Sequence, residues 1–97
     1  MTTTAITLHV LTGEGVALED QAVSIVAPGE PGYLGILRDH APLVTTLKPG
    51  RLTWRRPSGE FLAAGIGAGL LEVANNRVTI LTDALTEAEP AHAEAPL

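Results

Sequence analysis

The residues best suited to chemistry lie at Arg38-Asp39-His40, where a carboxylate beside an imidazole could supply a general base and the acid that orients it. Their spacing argues against that pairing. Adjacent residues on an extended chain point to opposite sides, so the two groups would not face one another. A histidine that bonds backbone where the chain turns into Pro42 is the simpler reading. A small hydrolase built on Asp39 and His40 would also require a pocket with a nucleophile near His40. His9, His40 and His92 are far apart and lack metal-ligand spacing. Gly65-Ile66-Gly67-Ala68-Gly69 superficially suggests a phosphate loop, yet no Lys-Ser/Thr follows and no helix begins there. Close strand packing or a bulge accounts better for these glycines. Thr2-Thr3-Thr4 and Thr45-Thr46 offer hydroxyls without a nearby base. The absence of cysteine excludes a disulfide scaffold, a Cys-based zinc site, an iron–sulfur cluster and a thiol nucleophile. No catalytic residue, metal or cofactor is expected.

The elements that would have to position such groups are all short. Ile6, Leu8 and Val10 alternate with Thr7, His9 and Leu11, the period of a strand with one buried face. Gly13-Glu14-Gly15 punctuates it, and Val16-Ala17-Leu18 leads through Glu19-Asp20 into the β-branched run from Ala22 to Val26. Pro28-Gly29-Glu30-Pro31-Gly32 is a dense turn signal. Further apolar segments follow at Tyr33–Ile36, Leu43–Leu47, Arg51–Arg55, Glu60–Ala63, Leu70–Ala74 and Arg77–Leu81, with Asn75-Asn76 as a hairpin turn that tolerates left-handed backbone angles. Eight or nine short strands, with turns about every 8–12 residues, predict an all-β sandwich or flattened barrel.

With 97 residues, one compact domain fits. Its aromatics are Tyr33, Trp54 and Phe61 alone, so the core must be built from Val, Leu, Ile and Ala. Eleven acidic against six basic residues give a formal charge of -5, which argues against a nucleic-acid surface. Met1 to Ile6 shows no positive region followed by an apolar run and reads as a mature cytosolic start. The longest uncharged stretch, Phe61 to Leu71, falls short of the ~20 residues that span a bilayer. From Asp83 the composition shifts to Ala, Glu and Pro. The β-sandwich domain is therefore placed at 1–84 and a short acidic tail at 85–97, its last part, 89–97, disordered.

Two segments carry a resemblance. Gly32 to Gly50 contains Gly-Ile, His-Ala-Pro-Leu and Pro-Gly at the spacing found in the epsilon subunit of F-type ATP synthases. Ala68-Gly69-Leu70-Leu71-Glu72-Val73, followed by Asn76-Arg77-Val78-Thr79-Ile80-Leu81, is similar to that family's Gly-Gly-x-x-Glu-Val and Asn-x-Val-Thr-Val-Leu pattern. The likeness spans about residues 5 to 84. Departures are Arg38-Asp39 before the histidine, Tyr33 where an acidic residue is frequent, and Ala68 in place of the first glycine.

The resemblance implies a ten-stranded β-sandwich without an active site, a non-catalytic subunit of a proton- or sodium-translocating rotary enzyme. Its place would be the foot of the central stalk, joining the gamma subunit to the ring of c subunits and coupling rotation to catalysis. Carried over residue by residue, Thr12, His40 and Thr45 would face gamma, and the loop Glu30-Pro31-Gly32-Tyr33 would meet the c ring, with the Tyr33 hydroxyl hydrated. The subunit would be monomeric when isolated and peripheral at the cytoplasmic face of the bacterial inner membrane. Family members continue as a helical hairpin to which restraint of ATP hydrolysis is attributed, and this sequence stops where the hairpin would begin. The competing reading is a free-standing β-sandwich module that binds a ligand or a protein and shares only architecture.

Overall fold

The computed structural model describes residues 5–92. Ten strands follow one another: β1 (Ile6–Thr12), β2 (Gly15–Ala22), β3 (Ser24–Gly29), β4 (Gly32–Leu37), β5 (Leu43–Leu47), β6 (Gly50–Arg55), β7 (Phe61–Ile66), β8 (Gly69–Ala74), β9 (Arg77–Thr82) and β10 (Glu89–Ala91). Among the described residues there is no helix, and so none long and apolar enough to cross a membrane. The expected acidic tail beyond residue 92, and the amino-terminal start with its Thr2-Thr3-Thr4 hydroxyls, lie outside the described residues.

One ten-stranded sheet runs in the order β10-β7-β6-β3-β5-β8-β9-β1-β2, with β4 on the other side of β3. It folds over where β3 meets β5. Those strands share only the Gly29–Leu47 pair, supported by Glu30 N–H on Thr46 O at 3.0 Å and Lys48 N–H on Pro28 O at 3.0 Å. The first layer is thus β10, β7, β6, β3 and β4, and the second is β5, β8, β9, β1 and β2. This is the all-β sandwich that periodicity predicts, with the ten strands the resemblance implies.

Alternation builds the core. Ile6, Leu8 and Val10 of β1 meet Val78 and Ile80 of β9 and Leu71 and Val73 of β8; from the other layer come Ile25, Leu52, Trp54, Leu62, Ala64 and Ile66, all buried. Each such aliphatic side chain withdrawn from water contributes about 1.5–3 kcal/mol before chain entropy is counted. The glycine-rich stretch is close packing, as expected. A Cβ on Gly69 would lie 1.9 Å from the Leu81 carbonyl oxygen, so no other residue fits while β8 and β9 stay paired. Asn75 and Asn76, at φ 50° and 59°, form the predicted left-handed turn between them.

Trp54 fastens the two layers at the far side. Its indole N–H donates to Asp20 Oδ2 at 2.8 Å, and Arg56 Nε donates to the same oxygen at 2.8 Å. The Arg56 guanidinium also reaches Glu60 at 2.9 Å. Burial pushes the Asp20 carboxyl up, but the Trp54, Arg56 and Gln21 N–H groups bonded to it hold it below the ordinary 3.8. Nearby, the β2–β3 corner is closed by Val23 N–H on Arg55 O at 2.8 Å.

Two boundaries differ from the sequence expectation. Pro28-Gly29 belongs to β3 rather than to a turn, because Pro28 faces β5 and accepts there without needing an N–H. The tail expected to be disordered from residue 89 is ordered through Ala91: β10 pairs with β7 at Glu89–Ala63, Pro90–Leu62 and Ala91–Phe61. Its approach is fixed by Leu85, which bridges Ile66, and by Thr86, whose hydroxyl accepts from Gly65 N–H at 2.7 Å. Composition missed this because an edge strand can be held by backbone bonds alone.

Candidate functional site

The outer face of the second layer carries an uncovered aliphatic row. Leu70 of β8 pairs with Leu81 of β9, Leu81 with Leu11 of β1, and Leu11 with Val16 of β2. Val44 on β5 extends the patch toward the free side of that strand, and a shallow depression of about 200 Å³ lies between Val44, Leu70 and Leu81. Exposure is 68% for Val44, 65% for Val16, 50% for Leu81 and 45% for Leu70. Single exposed aliphatics are ordinary on a soluble surface, whereas a contiguous row marks an interaction site.

Polar groups occupy the other end of the same face. His9 is only 8% exposed between neighbouring strands, its Nε2–H donating to the Glu19 carboxylate and its Nδ1 accepting from Arg77. Glu72 and Thr79 pair beside it. The face is thus greasy toward the Thr12 end and ionic toward the Asn75-Asn76 turn. Sequence reading placed His9 in a strand but missed this cluster. The signal was available in parity, since Thr7, His9 and Leu11 share one side of β1, but the partners come from strands at residues 19 and 77.

Of the residues the resemblance assigned to gamma, Thr12 and His40 lie at opposite ends of this face and Thr45 does not lie on it. Thr12 ends β1 beside Leu81 and Asp83, in a depression that also includes Gly13 and Gly69. His40 lies at the opposite end, in the loop leading to β5, where its Nδ1–H donates to Ala41 O at 2.7 Å. Thr45 is on β5, paired with buried Leu71, so it shares the inward side rather than the outer one. The His40 ring does not pair with Asp39. Asp39, at φ 64°, accepts from Asn76 Nδ2 at 3.1 Å and lies 3.7 Å from Arg38 Nε, which ties the loop to the β8–β9 turn.

The loop assigned to the c ring is brought together as one unit. Glu30 and Pro31 form an exposed turn between Gly29 and Gly32, with Tyr33 next on β4. Pro31, Gly32, Tyr33, Leu34, Leu43 and Thr45 line one groove of about 360 Å³ between the layers. Thr45 therefore neighbours this loop more closely than it does Thr12. The hydroxyl of Tyr33 is not left to water alone: it accepts from Arg51 N–H at 3.2 Å, because β6 begins directly beneath the ring.

Comparison with known proteins agrees with this architecture. The family described as "ATP synthase, Delta/Epsilon chain, beta-sandwich domain" matches residues 5–88. The ATP synthase epsilon chain of Moorella thermoacetica is 39% identical over 85 residues, covering 88% of this chain and 63% of that protein. That of Desulforamulus reducens is 40% identical over 82 residues, covering 84% and 61%. The chain thus spans about three fifths of the length of these curated relatives. A chain in the Euglena gracilis mitochondrial ATP synthase OSCP/F1/c-ring structure superposes with a TM-score of 0.77 at 25% identity, over 93% of this chain and 56% of that one. A chain of the Tetrahymena thermophila mitochondrial ATP synthase central stalk and c-ring shares the fold, with a TM-score of 0.69 at 19% identity over 90% and 69%. The family match and the epsilon-chain relatives together show that this chain belongs to the ATP synthase delta/epsilon chain β-sandwich domain family.

Proposed function

We propose that this chain serves as a non-catalytic central-stalk subunit of an F-type ATP synthase, joining gamma to the c ring so that rotation is coupled to catalysis. The enzyme would translocate protons or sodium ions, and the subunit would sit peripherally at the cytoplasmic face of a bacterial inner membrane. The observation that carries this reading is the uncovered row Val16, Leu81 and Leu70, joined through half-buried Leu11 and ending beside Thr12. On this reading gamma covers the row, and a docked interface of about 1,600 Å² in total would hide it from water. The Glu30-Pro31-Gly32-Tyr33 turn, which projects from the fold-over between the layers, is left free to meet the c ring. A stiff sandwich suits both contacts, because a close-packed core transmits strain rather than absorbing it.

The test is co-elution of the purified domain with the cognate gamma-containing complex on size exclusion at micromolar concentration. Co-elution that Leu81→Glu abolishes supports gamma at the row. Failure of the unaltered domain to co-elute overturns the assignment. The ring contact is tested separately with Glu30→Lys in the reassembled enzyme, where loss of ion-driven activity with gamma binding intact is the expected result.

A further inference from the structure

We propose that His9 is a proton-operated latch beside the aliphatic row, holding Arg77 while its ring is neutral and releasing it to Glu72 when the ring is protonated. Its effect on gamma binding rests on the reading above; the latch itself does not. Register places these groups together. On the outer face of the second layer Glu72 pairs with Thr79, Thr79 with His9, and His9 with Glu19. This polar line lies two residues along the strands from Leu70, Leu81 and Leu11, so about 7 Å from the aliphatic row. Arg77 comes next, opposite Thr7 on one side and Ala74 on the other. His9 and Glu72 are thus its diagonal neighbours on the two flanking strands, a separation that a long side chain spans.

The contacts fix the charge of the ring. A guanidinium has only N–H donors, so the His9 Nδ1 that Arg77 meets carries a lone pair. The ring proton is then on Nε2, where it is donated to Glu19. Only a neutral imidazole satisfies both partners. A proton on Nδ1 would set donor against donor and bring two positive charges to hydrogen-bond distance, while the bond to Glu19 would strengthen. His9 is therefore held in both states, and Arg77 is the group that moves.

The surroundings name its destination. Facing His9 are Glu19 and Gln21 from β2, Arg77 and Thr79 from β9, and Glu72 from β8, while Thr7 and Leu11 of β1 add no charge. Asp20 points the other way, onto Trp54 and Arg56. Asp39, near the same end, is bonded by Asn76 and lies beside Arg38. Glu72 is exposed and, among the described residues, has no hydrogen bond or ion pair through its side chain. It does not capture Arg77 from a neutral His9, because an exposed ion pair gains little over water. Imidazole changes charge between about pH 5 and 8. A partner that covers the aliphatic row also strips water from Glu72, and an unpaired carboxylate opposes this. Arg77 beside Glu72 removes the opposition, so gamma should bind more tightly as pH falls.

The test follows the 15N resonances of the His9 ring and the Arg77 guanidinium in the 97-residue chain from pH 8 to pH 5. Arg77 should titrate with the midpoint of His9 Nδ1. In His9→Asn, whose amide oxygen stands near the place of Nδ1 and takes no proton in this range, the Arg77 titration should vanish. Glu72→Gln, at an exposed position, keeps the test in force if His9→Asn does not fold: His9 should still titrate, and the low-pH position of Arg77 should change. Binding to the gamma-containing complex should tighten about three- to tenfold from pH 8 to pH 6 in the unaltered chain, and less than about twofold in Glu72→Gln. An Arg77 signal that does not follow His9, or a ring that stays neutral to pH 5, overturns the latch. A latch that moves while binding is flat with pH overturns its control of docking and leaves the stalk function standing. Absence of binding at every pH removes the stalk function, and the resonances of the chain alone still decide the latch.

Discussion

The two layers of the sandwich obey one rule inside and opposite rules outside. Inward, both present alternating aliphatics to a shared core. Outward, the first layer covers itself: Arg55 lies over the Phe61 ring at 5.6 Å, Thr86 straps Gly65, and β10 pairs with β7. The second layer leaves Val16, Val44, Leu70 and Leu81 bare. Since burial rewards every apolar side chain alike, the second layer has more to gain from being covered, whereas on the first layer Leu37 of β4 is the large aliphatic left exposed.

Neighbouring residues on β9 put this contrast to its strongest test. Ile80 is fully buried and Leu81 half exposed. Ile80→Ala should cost about 2–5 kcal/mol of unfolding free energy, read by denaturant titration. Leu81→Ala should stay within about 0.5 kcal/mol. In binding to the gamma-containing complex the order reverses: Leu81→Ala should cost about 2 kcal/mol, roughly 30-fold in Kd. Equal stability losses at the two positions would mean the row is core rather than contact surface.

A smaller effect separates the clasp from the faces. Asp20→Asn keeps the shape but weakens the acceptor of Trp54 and Arg56, and should cost about 1.5–3 kcal/mol, the range for hydrogen bonds to a charged group. Because the folded-state pKa of Asp20 is depressed, its stabilisation is present above its ordinary 3.8 and is lost as pH falls through the lower folded value. Acid unfolding followed by Trp54 fluorescence should therefore lose part of its pH dependence in Asp20→Asn. Retention of the full dependence would place the acid sensitivity in other carboxylates.

Smaller again is Tyr33→Phe, which leaves Arg51 N–H without its acceptor at the edge of the first layer. Water can replace it there, so a loss of about 0.5–1.5 kcal/mol is the expected upper range. The smallest effect concerns the enzyme. The described residues contain no helix that could extend along gamma, so adding the 97-residue chain to epsilon-depleted enzyme should leave ATP hydrolysis within about twofold, under about 0.5 kcal/mol on the rate scale. Strong saturable inhibition would give the sandwich itself a braking role.

Much of this was legible in the sequence, for definite reasons. Period-two alternation exposes the buried side of β1, β7 and β9 directly, and Asn75-Asn76 names its own turn. The glycines of 65–69 also announced close packing, realised at Gly69. What stayed hidden depends on partners distant in sequence. His9 meets Glu19 and Arg77, Trp54 meets Asp20, and β10 is held by the edge of β7; no local pattern encodes such meetings. Likewise, the row from Leu70 to Val16 exists only once four strands are in register, so each of its members alone looks like an ordinary strand residue.

The parallel seam between β1 and β9 has a consequence for how the chain comes into being. Thr7 sits opposite Arg77, so the earliest strand to be synthesised waits for one of the last. At about 5–20 residues per second on the ribosome, β1 can zip to β2 at once but spends roughly 4–14 s with its other side unmatched. During that interval Ile6, Leu8 and Val10 have no complete interior to enter. Native docking is then a long-range event of the kind that folds in milliseconds to seconds rather than microseconds. The architecture that makes a stiff sandwich therefore also makes a newborn chain that is vulnerable until its ninth strand arrives.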